Sequence, residues 1–435
     1  MTRVIIAATP IYGHVAPLRT IAAGLVRRGN QVTFMTGARF RASVEATGAT
    51  FAALPPEADY DPAELPSLYS PEYADLEPGP QKLAFEVREM FIKPVPAQHA
   101  ALQRLLAAAG GEPVAVLHDT SFVGAMPVQL GAPGIRPAAV IGIGVVPLTI
   151  SSADTAPFGL GLPPDASPEG RERNRAANQA VQEGLFGDLQ RYTLEVMRST
   201  GATQDPPFIL DAGVSVPDRY LHLSVEGLEY PRSDAPAGLR FIGTLPDEET
   251  GSSAPLPPWW PEVTAAERVI VVTQGTVANR DFSELIEPAL EALADLDVLV
   301  VAALGRDAQL ASVPANARVA EFIPFARLLP HTSVLVSNGG YGGVQQALRH
   351  SVPMVLAGVT EDKIEATARA AWTGAAVNLA TQRPSAADLR KAVVTVLDTP
   401  SFKDHAARLS AEYARHDALG EISAAIREVI TERSA

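Results

Sequence analysis

A histidine and an aspartate occupy positions from which they could act together as a general base and its orienting partner. His14 lies in the loop 9–17, directly after the first predicted strand, and the unperturbed pKa of histidine, about 6.5, suits proton abstraction near neutral pH. Asp119 follows the predicted strand 114–117 and could accept a hydrogen bond from the ring N–H of His14 and stabilise the imidazolium. Structural roles are the alternative, because His14 could satisfy a backbone group and Asp119 could cap the helix after it.

A glycine-rich turn between a predicted strand and a predicted helix is the second chemical feature. Residues 334–348 read Val-Leu-Val-Ser-Asn-Gly-Gly-Tyr-Gly-Gly-Val-Gln-Gln-Ala-Leu. In this arrangement backbone N–H groups and the helix dipole can meet a phosphate group. Tight packing between strand and helix explains the glycines equally well. The turn is not a dinucleotide-binding fingerprint, since it does not continue to the required third glycine, and the sequence contains no Gly-Lys-Ser/Thr phosphate loop.

Two further loops offer polar groups at the ends of predicted strands. Glu361 and Asp362 come after the strand 354–356, and adjacent carboxylates at a sheet edge suit hydrogen bonds to neighbouring hydroxyl groups, as on a sugar. Acids placed only to favour a helix N-terminus would give the same pattern. Thr276, in the loop 274–279, offers a hydroxyl and a backbone N–H to the same ligand.

Short apolar runs alternate with helical patterns in both halves of the chain, which predicts parallel sheets with right-handed crossovers. The predicted strands are 4–8, 31–35, 50–54, 114–117 and 138–143 in the first half, and 269–273, 298–303, 319–322, 334–337 and 354–356 in the second. The fold class is therefore α/β, with two doubly wound, Rossmann-like domains that face each other across a cleft. Ligands in such sheets bind beyond the carboxyl ends of the strands.

The predicted domains are residues 1–244 and 259–416. They are joined by a linker, 245–258, whose proline, glycine, serine and acidic residues cannot form a core. An amphipathic helix at about 417–435 is expected to dock on the protein itself, crossing back to the first domain. Two segments, 57–80 and 151–170, interrupt the strand and helix pattern. Long loops often act as lids, so we expect these two to shape a variable substrate pocket.

Composition excludes several classes of protein. The 435 residues include no cysteine, which rules out disulfide scaffolds, zinc ribbons and thiol nucleophiles. Hydrophobic residues make up 47% and charged residues 19% of the chain, as in a folded globular protein. A formal net charge of −14 disfavours binding to nucleic acid or to an anionic membrane surface.

No segment predicts export, a membrane span or a metal site. The first apolar run ends quickly at Pro10 and Gly13, and the run 138–150 falls short of the roughly 20 residues that a membrane helix needs. We therefore expect a cytoplasmic protein. The Asp-x-Asp pairs at 59–61 and 295–297 lie in a proline-rich loop and before a strand, so neither is expected to hold a metal.

Taken in order, these loops resemble those of the GT-B, UDP-glycosyltransferase family, in particular the bacterial macrolide and natural-product glycosyltransferases. The resemblance covers nearly the whole chain. It rests on Pro10 to His14, Asp119, Gly275-Thr276, the Gly-Gly-x-Gly turn with Ala347-Leu348 after it, and Val352-Pro353 leading to Glu361-Asp362.

The resemblance implies an inverting glycosyltransferase. His14 would deprotonate an acceptor hydroxyl, Asp119 would orient His14, and the second domain would hold a UDP- or TDP-sugar as donor substrate, with no bound cofactor or metal. The sugar would be a hexose or deoxyhexose, and the acceptor an apolar small molecule such as a polyketide, macrolide or phenol. A monomer or homodimer is expected. The residues implied in donor binding are Thr276, Asn338, Gly340, Gly342, Gly343, Gln346, Glu361 and Asp362.

The chain departs from the family pattern within the donor motif. Asn338 stands where the family usually has histidine, Gly343 where it has serine or threonine, and Gln346 where it has a ribose-binding glutamate. The usual Asp-Gln pair appears as Glu361-Asp362. These changes affect which nucleotide-sugar the protein is expected to bind more than which type of reaction it is expected to catalyse. Two alternatives stay open: a nucleotide-sugar epimerase or hydrolase on the same fold, and a non-catalytic auxiliary protein with a decayed donor site.

Overall fold

The computed structural model describes residues 3–64, 73, 76, 80–246, 255–275 and 279–434. Three predictions fall wholly or partly outside these residues: Thr276, the middle of the linker 245–258 and much of the segment 57–80. Within the described ranges the chain forms two parallel β-sheets, each flanked by helices.

The first sheet consists of β1 Arg3–Ala7, β2 Gln31–Thr36, β3 Thr50–Ala53, β4 Val114–Asp119, β5 Ala139–Gly144, β6 Arg219–His222 and β7 Leu239–Phe241. Its seven strands are parallel, in the order β3-β2-β1-β4-β5-β6-β7. The accompanying helices are α1 Tyr12–Arg27, α2 Arg41–Glu45, α3 Pro80–Glu86, α4 Val95–Ala108, α5 Met126–Gln129, α6 Pro168–Ala180, α7 Gly187–Ser199 and α8 Ile209–Ser215. Shorter turns are Ala38–Phe40, Pro56–Ala58, Pro62–Glu64 and Val123–Ala125, which are 3₁₀-helical, and Val87–Ile92 and Val181–Leu185, which are π-helical.

The second sheet consists of β8 Val269–Thr273, β9 Leu299–Ala303, β10 Ala317–Ala320, β11 Val334–Ser337, β12 Met354–Leu356 and β13 Ala376–Asn378. Its six strands are parallel, in the order β10-β9-β8-β11-β12-β13. The helices are α9 Trp260–Ala265, α10 Ile286–Leu293, α11 Phe325–Leu328, α12 Tyr341–Arg349, α13 Lys363–Trp372, α14 Ala386–Asp398, α15 Pro400–Tyr413 and α16 Ala418–Ser434, with 3₁₀ turns at Phe282–Glu284 and Leu329–His331. None of the helices in the described ranges has the length and apolar character that crossing a membrane requires.

The strands are apolar along their length because both faces of each sheet are covered. In β1, Val4 and Ile6 pack into a core with α1, whereas Ile5 and Ala7 pack on the opposite face with α4. Burial on both faces produces continuous apolar runs, as parallel sheets require. The predicted fold class, two doubly wound α/β domains, is therefore confirmed.

The predicted strands differ from the observed ones mainly at the outer edges of the sheets. The sequence did not predict β6, β7 or β13, which are short and carry polar residues. In the second sheet β10 lies two residues before the predicted run 319–322, which leaves Phe322 beyond the carboxyl end of the strand.

Each sheet reverses its strand order beside its first strand. In the first sheet β1 lies between β2 and β4, and in the second sheet β8 lies between β9 and β11. The loops after the two central strands leave on opposite faces at such a point, so a crevice opens between them. His14 and Asp119 lie at the first crevice, and Gln274 and Asn338 lie at the second.

The two domains also exchange structural segments. The C-terminal helix α16 packs on the first sheet, where Ile422 and Ile426 share a core with Leu18. In the other direction, the segment between β6 and β7 buries Val225 and Leu228 in a core of the second domain. Each domain therefore completes its packing with residues from the other.

Buried charged side chains lie between the domains: Glu229, Glu365 and Arg369, which we name the interdomain cluster. Arg369, on α13, is 1% exposed. Its Nε donates to Oε2 of Glu229 at 2.7 Å, its Nη2 donates to the carbonyl oxygen of Leu148 at 3.1 Å, and its Nη1 donates to Glu365. Burial alone raises the pKa of Glu229, but the positive charge of Arg369, the hydrogen bond and charge of His222 and the charge of Arg232 together outweigh burial and hold that pKa well below the usual value.

The interdomain cluster also holds the loop 151–170, which we expected to shape a substrate pocket. The backbone N–H groups of Gly159 and Gly161 donate to Oε1 of Glu365, at 2.7 and 2.9 Å. This loop belongs to the first half of the chain, whereas Glu365 lies on α13. The loop therefore rests on the second domain at this point.

We predict that Arg369→Met destabilises the protein by about 3–5 kcal/mol, because it removes the buried cation that contacts the carboxylates of both Glu229 and Glu365. Arg383→Met is the matched control: the side chain of Arg383 is 57% exposed and pairs with Asp281 and Glu284 at the surface, so its loss should cost about 0–1 kcal/mol. Urea titration followed by tryptophan fluorescence measures both. Equal midpoints for the two variants would contradict the structural role of the cluster.

Candidate active site

His14 and Asp119 are in direct contact. His14 is in the first turn of α1, Asp119 ends β4, and Nδ1 of His14 lies 2.7 Å from Oδ1 of Asp119. Because an ionised carboxylate only accepts hydrogen bonds, Nδ1 carries the proton and Nε2 keeps its lone pair when the ring is neutral. The histidine side chain is 12% exposed and the aspartate is fully buried.

Backbone groups fix the carboxylate of Asp119. The N–H of Thr9 donates to Oδ2 at 2.7 Å, and the N–H of Ser121 donates to Oδ1 at 2.8 Å. The hydroxyl of Thr9 lies 3.3 Å from Oδ1. Thr9 follows β1, the strand next to β4, so adjacent strand ends place the acceptor that orients His14.

The pair perturbs the titration of both residues. Burial lowers the pKa of His14, but the negative charge and hydrogen bond of Asp119 outweigh burial, so the pKa is raised above 6.5. Burial raises the pKa of Asp119, but the charge of His14 and the hydrogen bonds lower it below the usual value. Asp119 is therefore ionised at neutral pH and stabilises a protonated His14.

An aromatic side chain that the sequence did not indicate packs beside His14. The rings of Phe91 and His14 have centroids 6.5 Å apart. Phe91 lies in the π-helical turn Val87–Ile92, where the hydroxyl of Tyr60 donates to the carbonyl oxygen of Met90 at 3.0 Å. A π turn changes which side chains share a face, so α-helical spacing does not identify Phe91.

The glycine turn of the second domain is held from both sides. Asn338 is 5% exposed, and its side-chain Nδ2 donates to the backbone carbonyl oxygen of Gln274 at 2.7 Å. Gly339 has φ of +79°, and a Cβ there would overlap the methyl group of Thr367 on α13. Only glycine fits at that position, because the backbone is left-handed and α13 lies directly against it.

The first turn of α12 is open to an anion. Added Cβ atoms at Gly340, Gly342 and Gly343 would meet nothing within 4 Å, and the first turn holds no acidic residue. The first N–H groups of a helix lack intrahelical acceptors and lie at the positive end of its dipole. Gln346 is exposed one turn later, on the same face as Gly342 and Gly343.

The loop after β8 is anchored from within, although Thr276 itself lies outside the described residues. Nε2 of Gln274 donates to the carbonyl oxygen of Asp281 at 2.9 Å, and Oε1 accepts from the N–H of Ile286 at 3.2 Å. Nδ2 of Asn279 donates to the carbonyl oxygen of Gly275 at 3.0 Å. These bonds hold the two ends of the loop beside the glycine turn.

The two consecutive carboxylates of the second domain have different surroundings. Glu361 has φ of +55°, which is uncommon for a residue with a side chain, and it pairs with the ammonium group of Lys363. Burial, and to a smaller extent the negative charge of Glu361, raise the pKa of Asp362, whereas the positive charges of Lys363 and His14 lower it. The net result is a raised pKa. His14 of the first domain and Asp362 of the second are therefore close enough for each to affect the pKa of the other.

Phe322 is a further residue that the sequence did not single out. It follows the carboxyl end of β10, and its side chain is 58% exposed. An aromatic face left open at the ligand-binding edge of a parallel sheet is available for stacking. The apolar pattern placed Phe322 inside the predicted strand 319–322, so the sequence did not indicate an exposed aromatic side chain beyond the end of that strand.

The two Asp-x-Asp pairs serve structural contacts. Asp59 accepts from the backbone N–H of Ala38 at 2.9 Å, Asp61 pairs with Arg39, and Asp295 pairs with Arg390. Within the part of the chain that the structure describes, no three histidine, aspartate or glutamate side chains are grouped as a metal site would require.

Comparison with known proteins places this architecture in a family. Residues 287–429 match the model of the erythromycin biosynthesis protein CIII-like C-terminal domain. The chain is 47% identical to UDP-glycosyltransferase 2 of Phaeomoniella chlamydospora, over 98% of this chain and 95% of that protein. It is 42% identical to 4'-demethylrebeccamycin synthase of Lentzea aerocolonigenes, over 96% and 97%.

A solved structure shares the fold at low sequence identity. The crystal structure of the glycotransferase of kitacinnamycin superposes with a TM-score of 0.72, at 21% identity and over 98% of both chains. Because the curated relatives match nearly the full length at high identity, the sequence resemblance is confirmed: the chain belongs to the UDP-glycosyltransferase family and is a glycosyltransferase of the GT-B fold.

Proposed function

We propose that the protein transfers a hexose or deoxyhexose from a UDP- or TDP-sugar to a hydroxyl group of an apolar small molecule, with inversion at the anomeric carbon. The observation that carries this proposal is the His14–Asp119 pair, because a buried carboxylate holds the imidazole with its unprotonated Nε2 available. The neighbouring charge of Asp362 supports a reaction centre between the two domains.

In the proposed reaction His14 acts as the general base. Its Nε2 takes the proton from the acceptor hydroxyl while the oxygen attacks the anomeric carbon on the face opposite the diphosphate. The bond between that carbon and the diphosphate oxygen breaks, and the nucleoside diphosphate leaves with the electron pair. Asp119 remains ionised and stabilises the imidazolium that forms.

The donor is assigned to the second domain. The first turn of α12 would hold the diphosphate with the N–H groups near Gly342 and Gly343, and Gln346 would accept from a ribose hydroxyl. Glu361 and Asp362 would bind the hydroxyl groups of the sugar, and Phe322 would stack on the base. We propose no bound metal at this site, and we also propose a cytoplasmic location.

The acceptor is assigned to the first domain. Phe91 packs beside His14, and the exposed Tyr12 begins the helix that carries His14, so aromatic surface near the base suits a largely apolar molecule with one reacting hydroxyl. The relative named 4'-demethylrebeccamycin synthase is consistent with a natural product as acceptor.

We predict that His14→Ala lowers kcat/KM about 10²–10⁴-fold, the range expected for loss of a general base. The measurement is coupled detection of UDP or TDP release together with the mass of the glycosylated acceptor. His331→Ala is the control, since that histidine is exposed in the second domain and should leave turnover unchanged. Full activity in the His14 variant would remove the proposed base.

The pH dependence should report the raised pKa of His14. Because only the neutral imidazole accepts a proton, kcat/KM should rise with pH and level off above a midpoint higher than 6.5. Asp119→Asn removes the two largest causes that raise this pKa and leaves burial opposed only by the charge of Asp362, so the midpoint should move to lower pH while the plateau falls. A midpoint unmoved by Asp119→Asn would show that another group titrates.

A negative charge introduced in the first turn of α12 should weaken donor binding without destabilising the protein. Gly342 has open space around it, so Gly342→Glu should fold, and an acid in the first turn favours the helix. The carboxylate would repel the diphosphate, and we expect UDP or TDP to bind about 10–100-fold more weakly by calorimetry. Gly342→Ala is the matched control and should retain binding. Unchanged binding in the glutamate variant would place the diphosphate elsewhere.

A further inference from the structure

We propose that Lys363 supplies the positive charge for the diphosphate leaving group, and that it exchanges its partner Glu361 for a phosphate oxygen when the donor binds. This inference rests on the proposed donor site. It assigns a catalytic role to a residue outside the donor set predicted from the sequence.

The first observation is that the glycine turn itself carries no cationic side chain. Asn338 is neutral, and one of its N–H groups is already committed to the carbonyl oxygen of Gln274. Backbone N–H groups and a helix dipole remain, and the dipole amounts to only about half a charge. A diphosphate therefore needs a further cation, the more so beside the carboxylates of Glu361 and Asp362.

The strand order and two close contacts place Lys363 next to the glycine turn. β11 and β12 are neighbouring strands, so the loops after them lie side by side. Thr367 contacts Gly339, and Lys363 lies one turn earlier on the same face of α13. A Cβ added at Gly358 would meet both the carbonyl oxygen of Asn338 and Cδ of Lys363, the latter at 3.2 Å.

The surroundings of the ammonium group indicate that its partner can be exchanged. The side chain of Lys363 is only 6% exposed, whereas that of its partner Glu361 is 57% exposed. A glutamate in that position can turn away into the cleft while the lysine stays fixed by packing. The freed carboxylate could then accept hydrogen bonds from the sugar, and the ammonium could donate to the diphosphate.

The exchange involves no covalent change at Lys363. At the transfer step the bond between the anomeric carbon and the diphosphate oxygen breaks, and the leaving oxygen takes the electron pair. An ammonium already bonded to that diphosphate stabilises the charge as it develops. After transfer, Glu361 no longer has a sugar to bind and can reclaim Lys363.

The test compares the affinities of UDP, TDP and uridine for the unliganded protein by calorimetry at one ionic strength. Lys363→Met should weaken UDP or TDP about 10–100-fold and leave uridine unchanged, because only the diphosphate meets the ammonium. Lys363→Arg keeps the charge and should recover part of that loss. Lys391→Met, at an exposed lysine of α14, is the control and should change nothing.

A second variant gives a change of opposite sign that misfolding cannot produce. Glu361→Gln removes the competitor of the diphosphate, so UDP or TDP should bind about 3–10-fold more tightly. Turnover should nevertheless fall, because the sugar loses a charged acceptor. Weaker UDP and TDP binding in Glu361→Gln, or equal UDP and TDP affinity in Lys363→Met and wild type, would overturn the inference. A wild-type protein that binds neither UDP nor TDP would instead contradict the donor site itself, and the inference with it.

Discussion

The guanidinium group of Arg369 joins the two domains at a buried point. It bonds Glu229 and the carbonyl oxygen of Leu148 from the first half of the chain, and Glu365 from its own helix. Charges taken out of water are tolerated only when each is paired, so these carboxylates can be buried between the domains only because the guanidinium group is buried with them. This join helps to keep His14 near enough to Asp362 for each to affect the pKa of the other, since the two residues belong to different domains.

The helix α13 connects that join to the proposed chemistry. Its last turns carry Arg369, its middle carries Thr367 against the glycine turn, and its first residue is Lys363. A rigid helix transmits a fixed spacing between these points. The interdomain cluster, the glycine turn and the proposed sugar-binding carboxylates are therefore positioned by one element, and the loop that rests on Glu365 brings the first domain into the same arrangement.

Sequence reasoning identified the parts that depend on topology. His14 and Asp119 could be paired because the ends of neighbouring parallel strands meet at one edge, whatever the distance between them in the chain. The interdomain cluster could not be predicted, since Arg369 and Glu229 are 140 residues apart and neither lies in a recognisable pattern. Phe91 depends on a π turn and Phe322 on where β10 ends, and both are local details that apolar periodicity does not resolve.

The departures from the family pattern have a common electrostatic consequence. Because Asn338 stands where the family usually has histidine, the glycine turn lacks a side chain that could become positively charged, in a protein whose net charge is already −14. In the proposed exchange, the positive charge comes instead from Lys363, which pairs with Glu361 when no donor is bound. While the sugar is attached, its hydroxyl groups occupy Glu361 and leave the ammonium to the diphosphate. Once the sugar had moved to the acceptor, Glu361 would compete for the ammonium group again and weaken its contact with the nucleoside diphosphate. In the proposed exchange, this competition would loosen the contact between Lys363 and the nucleoside diphosphate after each transfer, which would favour its release.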